Sequence, residues 1–306
     1  MKHPALSGRD PAASAAPSRR TAALLVLFTS LAMLAFAANS LLARLAFQST
    51  AIDAALFTAI RIGAGAVTLL ALLAVKRQKL AVQHNAWWSA LLLFTYAAAF
   101  SFAYRDIGTG AGALVLFTSA QMVMIGYGLL KGERASVLGM LLALGGMAAF
   151  LLPAASAPPL RAALLMALAG CAWGGFSLLG RSAGAPIVNT GASFVLGVPL
   201  ALGLLLAVFL ARRDGLVFDP LGALYALISG SITSALGYAV WYWVRSRLSA
   251  IGAGAVQLSV PVISAVLGLL VLGERISAWG AAAGLATLAG VAWVMLSARN
   301  RPAPPR

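Results

Sequence analysis

Apolar runs of about twenty residues recur along almost the whole chain, and that recurrence constrains its fold more than any motif does. A helix crossing the hydrocarbon layer of a bilayer needs roughly 20 mostly apolar residues. Such runs lie near 22–43, 54–75, 86–104, 110–130, 135–153, 160–180, 189–211, 220–243, 251–272 and 277–297. Helices are the expected form, because a helix satisfies its own backbone hydrogen bonds where water is absent. Of the 306 residues, 61% are hydrophobic and 9% charged, against about 25% charged in a soluble domain. A soluble fold cannot hide so much apolar surface, and disorder requires far less of it. The predicted fold class is an all-α integral membrane protein with ten transmembrane helices.

The charges lie between the runs. Joints read as Lys76-Arg77-Gln78-Lys79, Lys131-Gly132-Glu133-Arg134, Pro158-Pro159, Arg212-Arg213-Asp214 and Gly273-Glu274-Arg275. Residues 1–21 form a Pro/Ala/Ser-rich basic tail expected to be disordered, and 298–306 a short basic tail. With the N-terminus in the cytoplasm, basic residues concentrate on the cytoplasmic side, as the positive-inside rule requires. Both termini are then cytoplasmic, which demands an even number of spans, and the Arg212-Arg213 pair is the one clear exception. The net charge of +15 is thereby explained by topology, without nucleic acid as a partner. The partners expected are the lipid bilayer and a small-molecule solute, with a second copy of the chain (a homodimer) also compatible.

Arg19-Arg20, the apolar run and Ala35-Phe36-Ala37 imitate a cleavable signal. The run continues to Ala43, so an uncleaved first helix is expected. His3 and His84 lie outside the spans and Cys171 stands alone. No metal-ligand spacing, disulfide or redox pair follows, and no cofactor is expected.

The chain also repeats itself. Residues 129–139 (LLKGERASVLG) match 270–280 (LVLGERISAWG), and Ser40-Leu41-Leu42-Ala43-Arg44 matches Ser177-Leu178-Leu179-Gly180-Arg181. The chain divides into two repeats of five helices, 22–153 and 160–297. An odd number of spans makes the second repeat enter the membrane from the opposite side, so the repeats are inverted. Inverted repeats are typical of secondary transporters, whose site lies near midplane where the halves meet.

The two Gly-Glu-Arg joints (132–134 and 273–275), Phe57-Thr58-Ala59-Ile60-Arg61 and Leu258-Ser259-Val260-Pro261 carry a resemblance to a known family. Over about 22–297 the sequence resembles the EamA family of the drug/metabolite transporter superfamily. The resemblance implies a multi-pass carrier of the cytoplasmic (inner) membrane, commonly an exporter of amino acids or related metabolites, and not an enzyme. Two other readings stay open: a structural or sensor subunit without transport, and an intramembrane enzyme. The spans offer no His, Asp or Glu constellation for the enzyme.

Eight residues are candidates for a substrate cavity. Pro261, expected in the middle of helix 9, should kink it and free a carbonyl near Gln257. Gln121 and Gln257 are amides inside spans, able to bind a solute or to bond between helices. Asn39 lies in helix 1, where an Asn rarely faces lipid. Arg61 lies about 10 Å into helix 2, where it either snorkels to the interface or holds a substrate carboxylate. Tyr96 and Phe100 share one face of helix 3 with Tyr104, and Trp173 in helix 6 could join them in an aromatic wall. Tyr104, Trp241 and Tyr242, near helix ends, fit an interfacial belt. Glu133 and Glu274 are expected to pair with Arg134 and Arg275 or to complement a helix N-terminus.

Overall fold

The computed structural model describes residues 19–83, 86–130, 136–151, 158–180, 186–212, 215–248 and 256–299. Among them are ten helices: α1 (Arg19–Ser49), α2 (Ala54–Val75), α3 (Ala86–Ala103), α4 (Thr109–Leu130), α5 (Val137–Leu151), α6 (Leu160–Leu179), α7 (Pro186–Ala211), α8 (Pro220–Arg245), α9 (Ser259–Leu272) and α10 (Ala278–Arg299). Eight are long and apolar enough to cross a membrane, and α5 and α9 are shorter. Large apolar side chains such as Val67, Leu141, Leu164, Leu206, Leu270 and Leu285 point outward. An exterior of that kind suits a hydrocarbon solvent rather than water.

The helix boundaries have local causes. Asp53 accepts a hydrogen bond from Ala55 N at 2.9 Å and caps α2, and Asp219 does the same for α8 from Gly222 N at 2.9 Å. These side chains satisfy amide donors that the first helical turn leaves unpaired. Pro220 follows at the start of α8, where a missing N–H is harmless. At the far end of α9, Gly273 adopts φ 65°, the left-handed conformation that favours glycine. Its amide bonds to the Leu269 carbonyl and the next amide, of Glu274, to that of Gly268. This closes the helix and explains the Gly-Glu order of the second joint. The first such joint, with Glu133 and Arg134, lies outside the described residues, as do residues 1–18 and 300–306 of the tails.

Pro261 departs from expectation. It is the third residue of α9 rather than its middle, preceded by a turn at Leu258. Residues 256–257 are helical and α9 resumes at Ser259, so the helix is interrupted one turn before Pro261, whose missing N–H withdraws a bond from the Gln257 carbonyl.

Packing joins the first five helices to the last five throughout. α3 and α4 lie along α6, α1 along α8 and α9, α2 along α7 and α8, α3 along α7, α4 along α9, and α5 along α10. Advancing every helix by five converts these pairs into one another: α3–α6 becomes α8–α1, α4–α6 becomes α9–α1, and α3–α7 becomes α8–α2.

The α5–α10 contact is a close approach of backbones. A Cβ on Gly290 would stand 2.3 Å from the Ala143 amide nitrogen and 2.8 Å from the Gly139 carbonyl. Such small-residue seams hold helices together in lipid, where no hydrophobic force acts between them. Gly290→Val therefore loses about 1–3 kcal/mol of stability through overpacking. Gly63→Ala, with nothing within 4 Å of its new methyl, stays within about 0.5 kcal/mol of the parent. Thermal unfolding of both variants in one detergent checks the contrast.

Candidate functional site

The largest fully buried side chain in the bundle is Arg61 of α2, 2% exposed. It does not snorkel. Its Nη2 donates to the Tyr96 hydroxyl at 2.9 Å, and Nε and Nη2 both reach the Ser234 hydroxyl at 3.3 Å. The guanidinium carbon lies 4.6 Å from the Phe100 ring centroid and 5.0 Å from that of Tyr96. Aromatic faces attract cations, and more strongly away from water. Nη1 has no hydrogen-bond partner, and no carboxylate pairs with Arg61 among the described residues.

Asn39 of α1 is the second hub. Its amide nitrogen donates to the Tyr96 hydroxyl at 3.2 Å, while its oxygen accepts from Ser229 at 2.6 Å and from Thr233 at 3.0 Å. One tyrosine oxygen therefore receives donors from both Asn39 and Arg61, which ties α1, α2 and α3 together. The hydroxyl residues come from a π-helical stretch of α8, Ser229–Leu236. Gly230 sits at its closest approach to α2, where a Cβ would stand 2.2 Å from the Arg61 carbonyl oxygen. No larger residue lets this turn reach the arginine.

Aromatic rings enclose the polar group. Trp173 of α6 lies 5.2 Å from Tyr96 and 5.1 Å from Tyr238 between centroids. Phe36 of α1 packs 5.8 Å from both Trp173 and Trp241 and 6.4 Å from Phe117. The Trp173 indole N–H is buried and has no acceptor among the described residues.

Two ion pairs join the first five helices to the last five at one end of the bundle. Arg44, near the end of α1, contacts Glu274 at 3.0 Å. The same guanidinium donates to the carbonyls of Tyr104 at 3.0 Å and Arg105 at 2.9 Å, and Glu274 accepts from the Thr109 amide at 2.7 Å. Burial pushes the Tyr104 phenol far above its ordinary range, so it remains a neutral donor to the Thr109 carbonyl. The second pair is Arg212 with Asp53, the cap of α2. At the opposite end lies a small recess lined by Gln83, Ser89, Phe176, Asn189, Ser193 and Tyr242.

Of the candidate residues, the structure brings Asn39, Arg61, Tyr96, Phe100 and Trp173 into one group. Gln121 is buried in α4 with its amide nitrogen unpartnered among the described residues, and it makes none of the contacts that join the group. Gln257 and Pro261 are buried around the start of α9. Tyr104 and Trp241 are buried inside the bundle rather than forming an interfacial belt. Glu274 pairs with Arg44 of the other half, not with its neighbour Arg275. The residues that sequence reasoning missed are Ser229, Thr233 and Ser234. Their signal was a polar run, Ser229-Gly230-Ser231-Ile232-Thr233-Ser234, inside an otherwise apolar span.

Helices faced with apolar side chains around a buried, partly satisfied cation define a multi-pass membrane protein with a polar site in its interior. The chain belongs to the EamA family of the drug/metabolite transporter superfamily: the EamA-like transporter family model matches residues 160–296. It is 47% identical over 290 residues to an uncharacterized protein of Pseudomonas aeruginosa, a match covering 94% of this chain and 98% of that protein. Its fold is similar to that of a crystal structure with 20% sequence identity and a TM-score of 0.65, covering 90% of this chain and 98% of the other.

The Asn39 hub gives a stability test. Asn39→Leu strips three hydroxyls of one partner each, and an unsatisfied buried polar group costs about 1–3 kcal/mol. Adding Ser229→Ala and Thr233→Ala to that variant recovers part of the loss, because the stranded Ser229 hydroxyl is then gone, while the Thr233 hydroxyl had kept the Ser229 carbonyl. Melting temperatures of the single and triple variants in detergent check both statements.

Proposed function

We propose that the chain is a secondary carrier that moves a small amphipathic metabolite across the cytoplasmic membrane by alternating access. The two repeats, 22–153 and 160–297, are inverted, both termini are cytoplasmic, and the solute leaves the membrane unchanged. The observation that carries this reading is the position of the Arg61 group. It is built from α1, α2 and α3 of one half and α6 and α8 of the other, beneath an end closed by ion pairs between the halves.

The exchange of helix pairs on advancing by five supports a two-fold relation between the halves. The ends of the bundle support inversion. The α1–α2 and α3–α4 joints share an end with the α7–α8 and α9–α10 joints, whereas the α2–α3 joint lines the opposite recess with the end of α6 and the start of α7. This distribution supports the reading that equivalent joints of the repeats fall on opposite sides. With the basic tails in the cytoplasm, the ion-paired end is external and the recess faces the cytoplasm. Export is the direction assigned in this reading, with the ion-paired seal on the external side.

Reconstitution in liposomes tests the carrier. Purified protein screened against a metabolite panel shows saturable counterflow of at least one solute, which is recovered unaltered. Chemical conversion of the transported solute, or a panel with no protein-dependent flux, overturns the reading. Inversion is tested by replacing the sole cysteine, Cys171, with alanine and introducing Gln78→Cys or Phe218→Cys at equivalent joints. An impermeant maleimide labels the two from opposite faces of the membrane, and labelling from the same face defeats the inverted arrangement.

The closed end gives a further expectation. Glu274→Gln removes the charge that holds Arg44 and favours opening on that side. A loss of about 1.4 kcal/mol shifts such an equilibrium about tenfold. External labelling of Ser40→Cys, buried just inside the seal, rises by about that factor when Glu274→Gln is added.

A further inference from the structure

We infer that the Arg61 group is a binding site for a small organic monoanion, a carboxylate attached to an apolar or aromatic body. This names the substrate class of the carrier proposed above and rests on that reading for its transport role, though not for binding.

The inference begins from charge. A guanidinium inside a span is costly unless paired. Arg61 is 2% exposed, and among the described residues only hydroxyl groups and ring faces meet it. Hydroxyls satisfy its hydrogens without neutralising its charge. A ligand of net charge −1 does both.

The second argument is the sign of what remains unsatisfied. Arg61 Nη1 and Trp173 Nε1 both lack partners among the described residues, and both are donors with no acceptor capacity. They flank the same ring, that of Tyr96, which Arg61 bonds and Trp173 packs against. The Tyr238 hydroxyl, packed on Trp173 and also unpartnered among the described residues, can donate too, so a complementary ligand presents acceptors at that end. An ionised carboxylate is acceptor-only, and one of its oxygens can accept from the free Arg61 Nη1. A primary amide brings two donors of its own. An α-ammonium beside the carboxylate would enter a group already positive and lacking any nearby carboxylate, so a zwitterion is disfavoured.

The third argument is the wall. Trp173, Tyr238 and Phe36 present aromatic surface next to the charged group, which is what an apolar ligand body requires. Phe176, whose ring lies 5.9 Å from that of Trp173, lines the small recess as well. That recess also holds Asn189, whose buried amide nitrogen has no partner among the described residues. Unpartnered donors therefore occur both there and in the interior.

The test uses the full chain in detergent and a series of acids of graded apolar body: acetate, butyrate, benzoate, phenylacetate and indole-3-acetate. Each is compared with its own amide, and phenylalanine serves as the zwitterionic control. Binding is read by thermal stabilisation, which a ligand of the folded state produces by mass action, and by quenching of tryptophan fluorescence. At least one acid of intermediate size binds roughly 10- to 100-fold more tightly than its amide, as hydrogen bonds to a charged donor imply. Arg61→Lys retains the preference for acid over amide, and Arg61→Gln abolishes it. If no acid outperforms its amide on the unmodified protein, the inference is overturned, and this comparison does not depend on any variant folding. Unchanged acid binding by folded Arg61→Gln overturns it equally.

Counterflow in liposomes separates this inference from the carrier reading. Flux of amides or phenylalanine without acid-selective binding leaves a carrier and removes the anion site. Arg61-dependent acid binding without flux of any panel member leaves the anion site and removes the carrier.

Discussion

A guanidinium held away from water among apolar helices dictates most of what surrounds it. Arg61 carries five N–H donors, and each must meet an acceptor or remain a penalty. That requirement explains why Tyr96 turns its hydroxyl inward, why Asn39 shares the same oxygen, and why α8 brings a hydroxyl-bearing turn against α2. It also explains Gly230, since any side chain there would strike the Arg61 backbone and push the Ser234 hydroxyl out of reach. Four helices are positioned by the solvation of one charge.

The ends of the bundle are held by different means. Where Arg44 meets Glu274 and Arg212 meets Asp53, the contacts are ionic and partly exposed, so their hold depends on local water and charge. Along α5 and α10 the contact is backbone against backbone through Gly139, Ala143, Gly146 and Gly290. A seam without intervening side chains resists sliding, because a small shift drives a methyl into a carbonyl. Rearrangement of the halves is therefore easier at the ion-paired end and around the π-helical turn than along α5 and α10.

Much of the helix layout was legible because an apolar run of span length has few alternatives. The convergence of Asn39, Arg61, Tyr96, Phe100 and Trp173 was legible for a related reason: polar and aromatic side chains inside spans rarely face lipid. The partners of that group were not. At α-helical spacing Ser229 and Ser234 lie about 140° apart around the axis, which hides their shared role. The wider π turn brings them to within about 50°, and nothing in local sequence announces that change. Trp241 and Tyr104 were misread for a different reason. Position along a span indicates depth, whereas burial depends on which face a neighbour covers. Pro261 moved a boundary rather than bending one continuous helix: helical residues 256–257 precede the turn at Leu258, and the longer helix starts after it. Glu274 belonged to Arg44, 230 residues away in sequence, a pairing that only the packing of α1 on α9 creates.

The choice of neutral partners for Arg61 has its own consequence. A carboxylate beside it would have lowered the cost of burying the charge, and it would also have left a closed pair with no affinity for an anion. Hydroxyls and ring faces stabilise the cation enough to keep it inside while preserving a net positive potential in a region of low dielectric. Electrostatic attraction there is far stronger than in water, so even one unpartnered donor gives a large advantage to a ligand of opposite sign. The same low dielectric sets a limit on affinity: a site that bound its anion through full pairing on every donor would release it slowly. With Nε and Nη2 already engaged by Ser234 and Tyr96 and only Nη1 unpartnered, the site keeps one strong contact and surrounds it with weak ones. That balance suits a group that must take up and release a solute repeatedly.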